Sequence, residues 1–315
     1  MTARRRAERR WRLLLLAPLA LAAGLAVPYF LVNEETEPLG RPDQRFAGTF
    51  VELSRGQTHY QLGGPEGAPL VVLVHGISVP MFVWDPTFHA LAESGRRVLR
   101  YDLYGRGLSA RPDVPYTQDL YDEQLSELLA KLAPGAQVDL VGLSMGGLVV
   151  TEFTRRHPEK VRKLVLVDSA GLDVSTPAMA KVGLLPGVGE YVLRVAGSRQ
   201  LLPSRRSVRH PERHRDLDTR FLATLRYQGT RRAVLESLRR MPLSDYAGFA
   251  QVGALGKPTF VVWGREDKVI PLASGTRLAE QLRAGQLLVV DDAGHLPHLE
   301  KPEVVNPALL GFLAR

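Results

Sequence analysis

Val138–Gly147 reads VDLVGLSMGG, and this stretch decides the fold of the chain. An apolar run ends in the G-x-S-x-G motif Gly142–Gly146, and a second apolar run, Leu148–Phe153, follows at once. The order predicts a strand, a sharp turn and a helix, which is the context in which this motif presents a serine nucleophile. The turn would raise the Ser144 hydroxyl over the sheet edge and place the Met145 N–H at a helix N-terminus, where negative charge is stabilised. A purely structural turn is the alternative interpretation of the motif.

Apolar, β-branched runs of strand length recur on both sides of this motif. Such runs suit strands that are buried on both faces of a sheet, and their alternation with helical patterns predicts a mostly parallel sheet covered by helices on both faces. The predicted strands are Thr49–Leu53, Thr58–Leu62, Leu70–Val74, Val98–Tyr101, the strand before Ser144, Leu164–Val167, Thr259–Val262 and Leu287–Val290. The predicted helices include Pro86–Ser94, Asp119–Leu132, the helix that follows Ser144, and Pro302–Leu313. The fold class is therefore α/β with eight strands.

The composition suits one large α/β domain with an insertion. The chain has 315 residues, of which 45% are hydrophobic and 23% charged, as in ordinary globular proteins. It contains no cysteine. This excludes disulfides, thiolate metal sites, a cysteine nucleophile and a lipid-modified cysteine.

The N-terminus has the pattern of a targeting segment. Residues 1–12 hold six arginines and one glutamate, and Leu13–Val32 then runs twenty positions without a charge. A basic region before an apolar stretch is typical of a signal peptide or an uncleaved signal anchor, and about twenty apolar residues can span a bilayer. We therefore expect residues 1–33 to be such a segment and 34–47 to be a linker. The catalytic domain would be membrane-anchored and extracytoplasmic, or secreted if the signal is cleaved.

The strand–helix alternation stops over residues 172–247. This stretch carries fourteen Lys or Arg against seven Asp or Glu, a net charge of +7. It is too long for a loop, so we expect a helical cap inserted after the sixth strand, with residues 48–171 and 248–315 forming the core. The arginines, Arg205 and Arg206 among them, indicate either a lipid-like or anionic ligand or a solvated surface. No nucleic-acid recognition motif accompanies the charge, so nucleic acid is not an expected partner.

A serine nucleophile needs a base and an acid that orients the base. In chains with this serine turn the order is Ser, acid, His. His295 follows the last predicted strand and is the expected base, whereas His298 is expected to pack or cap locally. Asp267 follows the strand Thr259–Val262, next to the His295 strand, and is the expected acid. Asp168, at the end of an earlier strand, is the second candidate, and a loop-capping role for Asp267 stays open.

An oxyanion hole needs two donors aimed at one oxygen. The Met145 N–H is one candidate. The second is the Ile77 N–H, in the loop that follows His75 and Gly76. Gly76 would let this loop approach the serine, and His75 is expected to shape the loop.

Five motifs resemble those of the α/β-hydrolase family in order and spacing, over nearly all of residues 48–315. They are His75-Gly76, Asp102–Ser109, Gly142–Gly147, Trp263–Pro271 and Gly294-His295. The chain looks most like capped members, which include carboxylesterases, monoacylglycerol lipases and C–C bond hydrolases. The resemblance implies a triad of Ser144, Asp267 and His295, oxyanion donors at Ile77 and Met145, and no cofactor or metal.

The leading functional hypothesis is a serine esterase or lipase acting on a small-molecule carboxylic ester, lipids included. One alternative is a C–C bond hydrolase of the meta-cleavage type, which uses the same triad. Another is a non-catalytic receptor on a hydrolase fold. Ser144 argues against the family members that open epoxides or remove halogens, because those use an aspartate at this turn. Ile77 departs from the His-Gly-Gly-Pro-Gly motif of the proline-releasing peptidases. The oligomeric state does not follow from the motifs.

Overall fold

The sheet of this protein has eight strands. The computed structural model describes residues 18, 20–32, 35–38, 46–173, 182–200, 202 and 207–315. The strands are β1 (Thr49–Leu53), β2 (Gly56–Gly63), β3 (Leu70–Val74), β4 (Arg97–Tyr101), β5 (Val138–Leu143), β6 (Val161–Val167), β7 (Thr259–Gly264) and β8 (Gln286–Val290).

The spatial order of the strands is β1-β2-β4-β3-β5-β6-β7-β8. β2 pairs antiparallel with β1 and β4, and every neighbouring pair from β4 to β8 is parallel. The carboxyl ends of β3 and β5 to β8 therefore lie along one edge, where ligands bind in sheets of this kind.

Helices follow most of the strands. They are α1 (20–31), α2 (Asp85–Glu93), α3 (Gln118–Leu132), α4 (Met145–Arg156), α5 (Val188–Gln200), α6 (Arg215–Leu225), α7 (Thr230–Arg240), α8 (Phe249–Ala254), α9 (Leu272–Gln281), α10 (Pro297–Glu300) and α11 (Pro302–Ala314). Short 3-10 turns add Met81–Trp84, Pro158–Lys160 and Pro211–Arg213.

Two hydrophobic clusters cover the two faces of the sheet. One packs β3 and β5 side chains such as Val72 and Leu140 against α3, α4, α8 and α9. The other packs the alternate residues, such as Leu73 and Val141, against α2, α6 and α11. Because successive strand residues point to opposite faces, both faces need apolar residues, and the runs are apolar throughout. The predicted mostly parallel eight-stranded sheet with helices on both faces is confirmed.

In the described part of residues 172–247, the stretch that the sequence assigns to a cap, the chain forms the helices α5, α6 and α7. The two ends of this stretch meet, because Leu172 forms an antiparallel bridge with Asp245 and the Tyr246 N–H donates to the Gly171 carbonyl at 2.9 Å. The insertion thus leaves and re-enters the core at one point. The cap boundaries at 172 and 247 stay a prediction.

The prediction of a membrane span over residues 13–32 is wrong. In the described part of the chain no helix is both long and apolar enough to cross a bilayer. The predicted membrane-anchored or secreted location depended on this segment and is wrong with it. Residues 13–17 and 19 lie outside the described residues.

α1 instead contacts the inserted helices. The Tyr29 ring stacks on Tyr191, with ring centroids 6.2 Å apart. The Arg194 guanidinium lies 4.4 Å from the Tyr29 ring centroid, and its Nε donates to the Tyr29 carbonyl at 2.7 Å. The contacts are confined to the Tyr29 end of the helix, and apolar side chains such as Leu21, Phe30 and Leu31 are exposed.

The segment assigned to a linker also makes specific contacts. Glu37 forms a bridge with Tyr227, and its N–H donates to the Arg226 carbonyl at 2.9 Å. The Glu35 carboxylate accepts from the Gly229 N–H at 3.2 Å and from the Arg231 N–H at 2.8 Å. A carboxylate at this place caps the N-terminus of α7.

Candidate active site

Ser144 stands between β5 and α4 in a strained backbone conformation. Its φ is +53° and its ψ −121°, a backbone conformation that residues other than glycine rarely adopt. Neighbouring backbone holds it there: the Ser144 N–H donates to the Val167 carbonyl at 3.0 Å, and its carbonyl accepts from Gly147 and Ala170 at 2.9 and 3.1 Å. The strand, the turn and the helix are those that the motif predicts.

The glycines of the motif are required by close backbone contacts. A Cβ at Gly146 would lie 2.4 Å from the Val74 carbonyl oxygen, and one at Gly142 would lie 2.5 Å from the Gly146 carbonyl oxygen. Neither contact can be relieved by rotating a side chain. A Cβ at Gly76 would lie 3.1 Å from the Ser144 Cβ. The loop after β3 therefore passes directly beside the serine.

His295 and Asp267 form a buried pair at the same sheet edge. The His295 Nδ1 lies 2.7 Å from the Asp267 Oδ2. Since an ionised carboxylate only accepts, Nδ1 carries the proton and Nε2 is left as the basic nitrogen. The Asp267 Oδ1 accepts from the N–H groups of Val269 and Ile270 at 2.7 and 3.0 Å. The expected acid is thus the residue that is hydrogen bonded to the expected base.

Asp168 lies beside this pair rather than replacing Asp267. One donor or acceptor atom from each of Asp168, Asp267 and His295 lies within 4.8 Å of the others, and all three residues are buried. Burial and the charge of Asp267 raise the pKa of Asp168 well above its ordinary value. Burial would also raise the pKa of Asp267, but the His295 ring and the Ile270 N–H outweigh it and lower that pKa. The two carboxyl groups are therefore driven to different protonation states.

His75 orients the peptide that follows it. Its Nδ1 donates to the Gly76 carbonyl at 2.7 Å, and its Nε2 accepts from the Leu103 N–H at 2.9 Å. Burial lowers the pKa of His75 to about 4, so the ring is neutral near pH 7. In a trans peptide the C=O and N–H point in opposite directions, so the Ile77 N–H points away from His75. The sequence predicted that His75 shapes the loop after β3, and these two hydrogen bonds are how it contacts that loop.

Two buried side chains that the sequence did not single out hold the same loop. The Arg106 Nε donates to the Ile77 carbonyl at 2.7 Å, and an Nη donates to Ser237 of α7 at 2.8 Å. Asp102 accepts from the Met81 N–H at 2.9 Å and from His59 at 2.8 Å. Both residues lie in the Asp102–Ser109 motif. The motif predicted a turn there, but it did not predict the hydrogen bonds that these two side chains make.

Ser144 and His295 line one cavity of about 80 Å³ together with Ile77. The other described lining residues are mostly small or apolar: Gly76, Ser78, Val79, Leu143, Ser207, Val269 and Leu296. Among the described residues, His295 is the one titratable side chain in this lining. The structure thus brings Ser144, His295 and Ile77 to one small, largely apolar space. Met145 adjoins Ser144 as the first residue of α4.

The remaining candidates lie away from this cavity. His298 is fully buried against Trp84, with ring centroids 4.1 Å apart, as expected of a packing residue. The Glu266 carboxylate accepts from the Ala293 N–H at 3.1 Å and so steadies the loop that carries His295. Arg205 and Arg206 lie outside the described residues.

Known proteins match this chain over most of its length. A family profile described as the alpha/beta hydrolase fold matches residues 69–302. The chain belongs to the α/β-hydrolase fold family. The resemblance drawn from the motifs is confirmed, and hydrolysis is the activity class that membership supports.

Three relatives illustrate the chemistry found in this family. The α/β hydrolase is 34% identical over 255 residues to 2-hydroxymuconate semialdehyde hydrolase of Pseudomonas putida, covering 79% of this chain and 88% of the relative. It is 30% identical over 262 residues to a protein of Variovorax paradoxus provisionally named a carbamate hydrolase, covering 82% and 96%. It is 26% identical over 270 residues to a carboxylesterase of Bacillus subtilis, covering 84% and 86%.

Proposed function

We propose that this α/β hydrolase cleaves carboxylic esters through an acyl-enzyme, with Ser144 as nucleophile, His295 as general base and Asp267 as the acid that orients His295. One observation carries the proposal: the 2.7 Å bond between His295 Nδ1 and Asp267 Oδ2, where His295 lines the same cavity as a serine held at positive φ. This constellation activates a serine hydroxyl, which is otherwise a weak nucleophile.

The steps follow from the placement of these groups. The Ser144 Oγ attacks the ester carbonyl carbon while the His295 Nε2 takes the hydroxyl proton. The carbonyl oxygen becomes an oxyanion, which the Ile77 and Met145 N–H groups receive. The tetrahedral intermediate collapses, the C–O bond to the alcohol breaks, and His295 returns the proton to the leaving alkoxide. Water, deprotonated by His295, then attacks the acyl carbon. The bond from that carbon to Ser144 Oγ breaks, the acid leaves, and His295 returns the proton to Ser144.

The cavity lining favours an uncharged, apolar acyl group. Ile77, Val79, Leu143, Val269 and Leu296 present hydrocarbon beside the serine. A second anionic group on the substrate would need a cationic partner to offset its desolvation. The described part of the lining offers none besides His295. An ester with a short, neutral acyl chain fits this space.

A C–C bond hydrolase is the second candidate, and a specific observation favours it. The relative at 34% identity is named for the hydrolysis of 2-hydroxymuconate semialdehyde. The same serine, base and oxyanion donors can serve C–C cleavage, in which the leaving group is a carbon that takes up a proton. The two candidates differ in the substrate and not in the proposed triad.

The test compares the full chain with its Ser144→Ala variant. Both are treated with a fluorophosphonate probe and assayed on a p-nitrophenyl ester series and on a meta-cleavage ring-fission product. We expect labelling and ester turnover by the wild type, and a loss of roughly 10⁴ to 10⁶ in turnover in the variant. Ser274→Ala, which removes a buried hydroxyl in α9, is the control and should label like the wild type.

The other outcomes discriminate among the hypotheses. Labelling with turnover of the ring-fission product alone would replace the ester proposal with the C–C one. Equal turnover by the wild type and Ser144→Ala would show that Ser144 is not the nucleophile. A wild type that neither labels nor turns over any substrate would favour the non-catalytic receptor.

A further inference from the structure

Two carboxyl groups face each other behind His295. The Asp168 side chain is fully buried, and its Oδ1 accepts from the Gly264 N–H at 3.0 Å. Its Oδ2 is also buried, and within the described structure no N–H or O–H group donates to it. An oxygen of Asp267 lies within 4.8 Å of an Asp168 oxygen. The Asp168 carboxyl group thus has the Asp267 carboxylate as a polar neighbour.

Two ionised carboxylates cannot occupy this space at an acceptable cost. Like charges at such separation repel strongly in a buried site, and a buried acceptor without a donor destabilises the folded state further. One shared proton removes both costs, because it turns an acceptor into a donor. Buried carboxyl pairs in proteins are known to hold a proton in this way.

The donors around each carboxyl group decide which one holds the proton. Asp267 accepts from Val269, Ile270 and His295, three donors that stabilise its ionised form. Asp168 accepts from the Gly264 N–H alone in the described structure. The raised pKa of Asp168 and the lowered pKa of Asp267 agree with this division. The proton therefore belongs to Asp168.

We propose that Asp168 is a proton-bearing positioning residue: its carboxyl O–H donates to the Asp267 carboxylate and holds that carboxylate against His295 Nδ1. The backbone supports this arrangement, because Asp168 itself adopts a positive φ of 41° directly after β6. That strain is maintained only where the surrounding structure enforces it. Asp168 does not touch the substrate, so it acts through Asp267 and His295. The proposal rests on the triad proposed above.

A divalent cation is the rival interpretation of the same three side chains, since two carboxylates and an imidazole can ligate a metal. The hydrogen bonds argue against it. The Nδ1 of His295 is committed as a donor to Asp267, and both Asp267 oxygens already accept hydrogen bonds. A cation would have to displace these partners.

The experiment uses Asp168→Asn and Asp168→Ala in the full chain. The asparagine amide keeps both a donor toward Asp267 and an acceptor for Gly264, whereas alanine keeps neither. We expect Asp168→Asn to lower kcat by less than about tenfold. Asp168→Ala should lower kcat roughly 10- to 100-fold with little change in KM, because a loosened base misplaces the reacting atoms. Equal losses in the two variants would overturn the proposal.

A spectroscopic readout tests the proton without relying on activity. Infrared difference spectra of the wild type at pH 8 should contain the carbonyl stretch of a protonated carboxylic acid, shifted in D₂O. Asp168→Asn should abolish this band. The control Asp139→Asn, which removes another buried aspartate that pairs with Arg162, should retain it. Absence of the band in the wild type would overturn the proposal even if Ser144 proves to be the nucleophile.

A separate experiment tests the divalent-cation interpretation. Activity and the infrared band are measured after exhaustive chelation and after addition of Zn²⁺ or Mn²⁺. We expect both to persist after chelation. Activity that requires the cation, together with loss of the band when the cation is added, would assign the site to a metal and refute the shared proton.

Discussion

At the scale of single residues, chemistry here depends on which groups are kept neutral and which are charged. His75 is a neutral ring that fixes one peptide, and Asp168 is a carboxyl whose pKa is raised by burial and by Asp267. Asp267 is kept ionised by its donors. Identical residue types therefore take different roles because their surroundings stabilise different protonation states.

His298 makes the folded protein sensitive to mild acid. Burial lowers its pKa from 6.5 to about 3, so the folded state resists protonation while the unfolded chain binds a proton below about pH 6.5. The unfolded state then binds more protons, and stability falls as the pH falls from 6.5 toward 3. His298→Phe keeps a ring against Trp84 but cannot take up a proton. Between pH 6 and pH 4 its free energy of unfolding should decrease with falling pH by about 1.4 kcal/mol per pH unit less than that of the wild type.

Urea unfolding at pH 7, 6, 5 and 4 measures this slope. The exposed His89→Phe variant controls for the loss of a histidine as such and should run parallel to the wild type. If His298→Phe also ran parallel to the wild type, the histidine would be taking up a proton in the folded state, and the buried neutral ring would be refuted.

At the scale of elements, the strand–turn–helix unit works because backbone touches backbone. β3, β5 and α4 approach so closely that Gly142 and Gly146 admit no side chain. The same closeness presents the Ser144 hydroxyl beside the loop after β3. Arg106 adds a link from that loop to α7, so the candidate oxyanion donor at Ile77 is tied to the inserted helices.

Gly146→Ala should destabilise the protein by about 3 kcal/mol or more, because the new Cβ overlaps the carbonyl oxygens of Val74 and His75, at 2.4 and 2.5 Å. Thermal unfolding measures the loss of stability, and fluorophosphonate labelling measures whether Ser144 stays reactive. Gly311→Ala is the matched control, since a Cβ there meets nothing within 4 Å and Gly311 lies within α11. It should stabilise the protein by about 0.5–1 kcal/mol. A harmless Gly146→Ala would contradict the packing described for the turn.

At the scale of the whole molecule, residues before the sheet fasten the inserted helices. Glu35 caps α7, Glu37 pairs with the segment before α7, and Tyr29 stacks on α5. Residues that precede the core in the sequence therefore contact the helices of the insertion. The stability of those helices should depend on contacts with residues 35–38 as well as on the core.

Glu35→Ala should lower stability by about 0.5–2 kcal/mol, the usual effect of losing an N-terminal cap. The loss should be local, because Glu35 contacts the start of α7 and not the sheet. Hydrogen exchange of the α7 amides should speed up while the β5 amides stay protected. Glu66→Ala, at an exposed turn between β2 and β3, should leave the exchange of α7 unchanged. Uniform acceleration across the protein would instead indicate a global role.

The sequence by itself determined the strands, the serine turn and the order of the motifs. These depend on local periodicity and on glycine positions, so the predicted strands fall within a few residues of the observed ones, as with Thr58–Leu62 inside β2. His295 and Asp267 could be named because adjacent parallel strands bring their loops together. Much of the candidate site could therefore be predicted from the residue types at the ends of strands.

Only the tertiary structure decided which groups meet. Asp267 and His295 are hydrogen bonded although 28 positions separate them, and Arg106 reaches Ser237 across 131 positions. Asp168 stands behind the pair rather than in it, although both aspartates follow a strand in the sequence. Those outcomes depend on long-range packing, which a local sequence pattern does not encode.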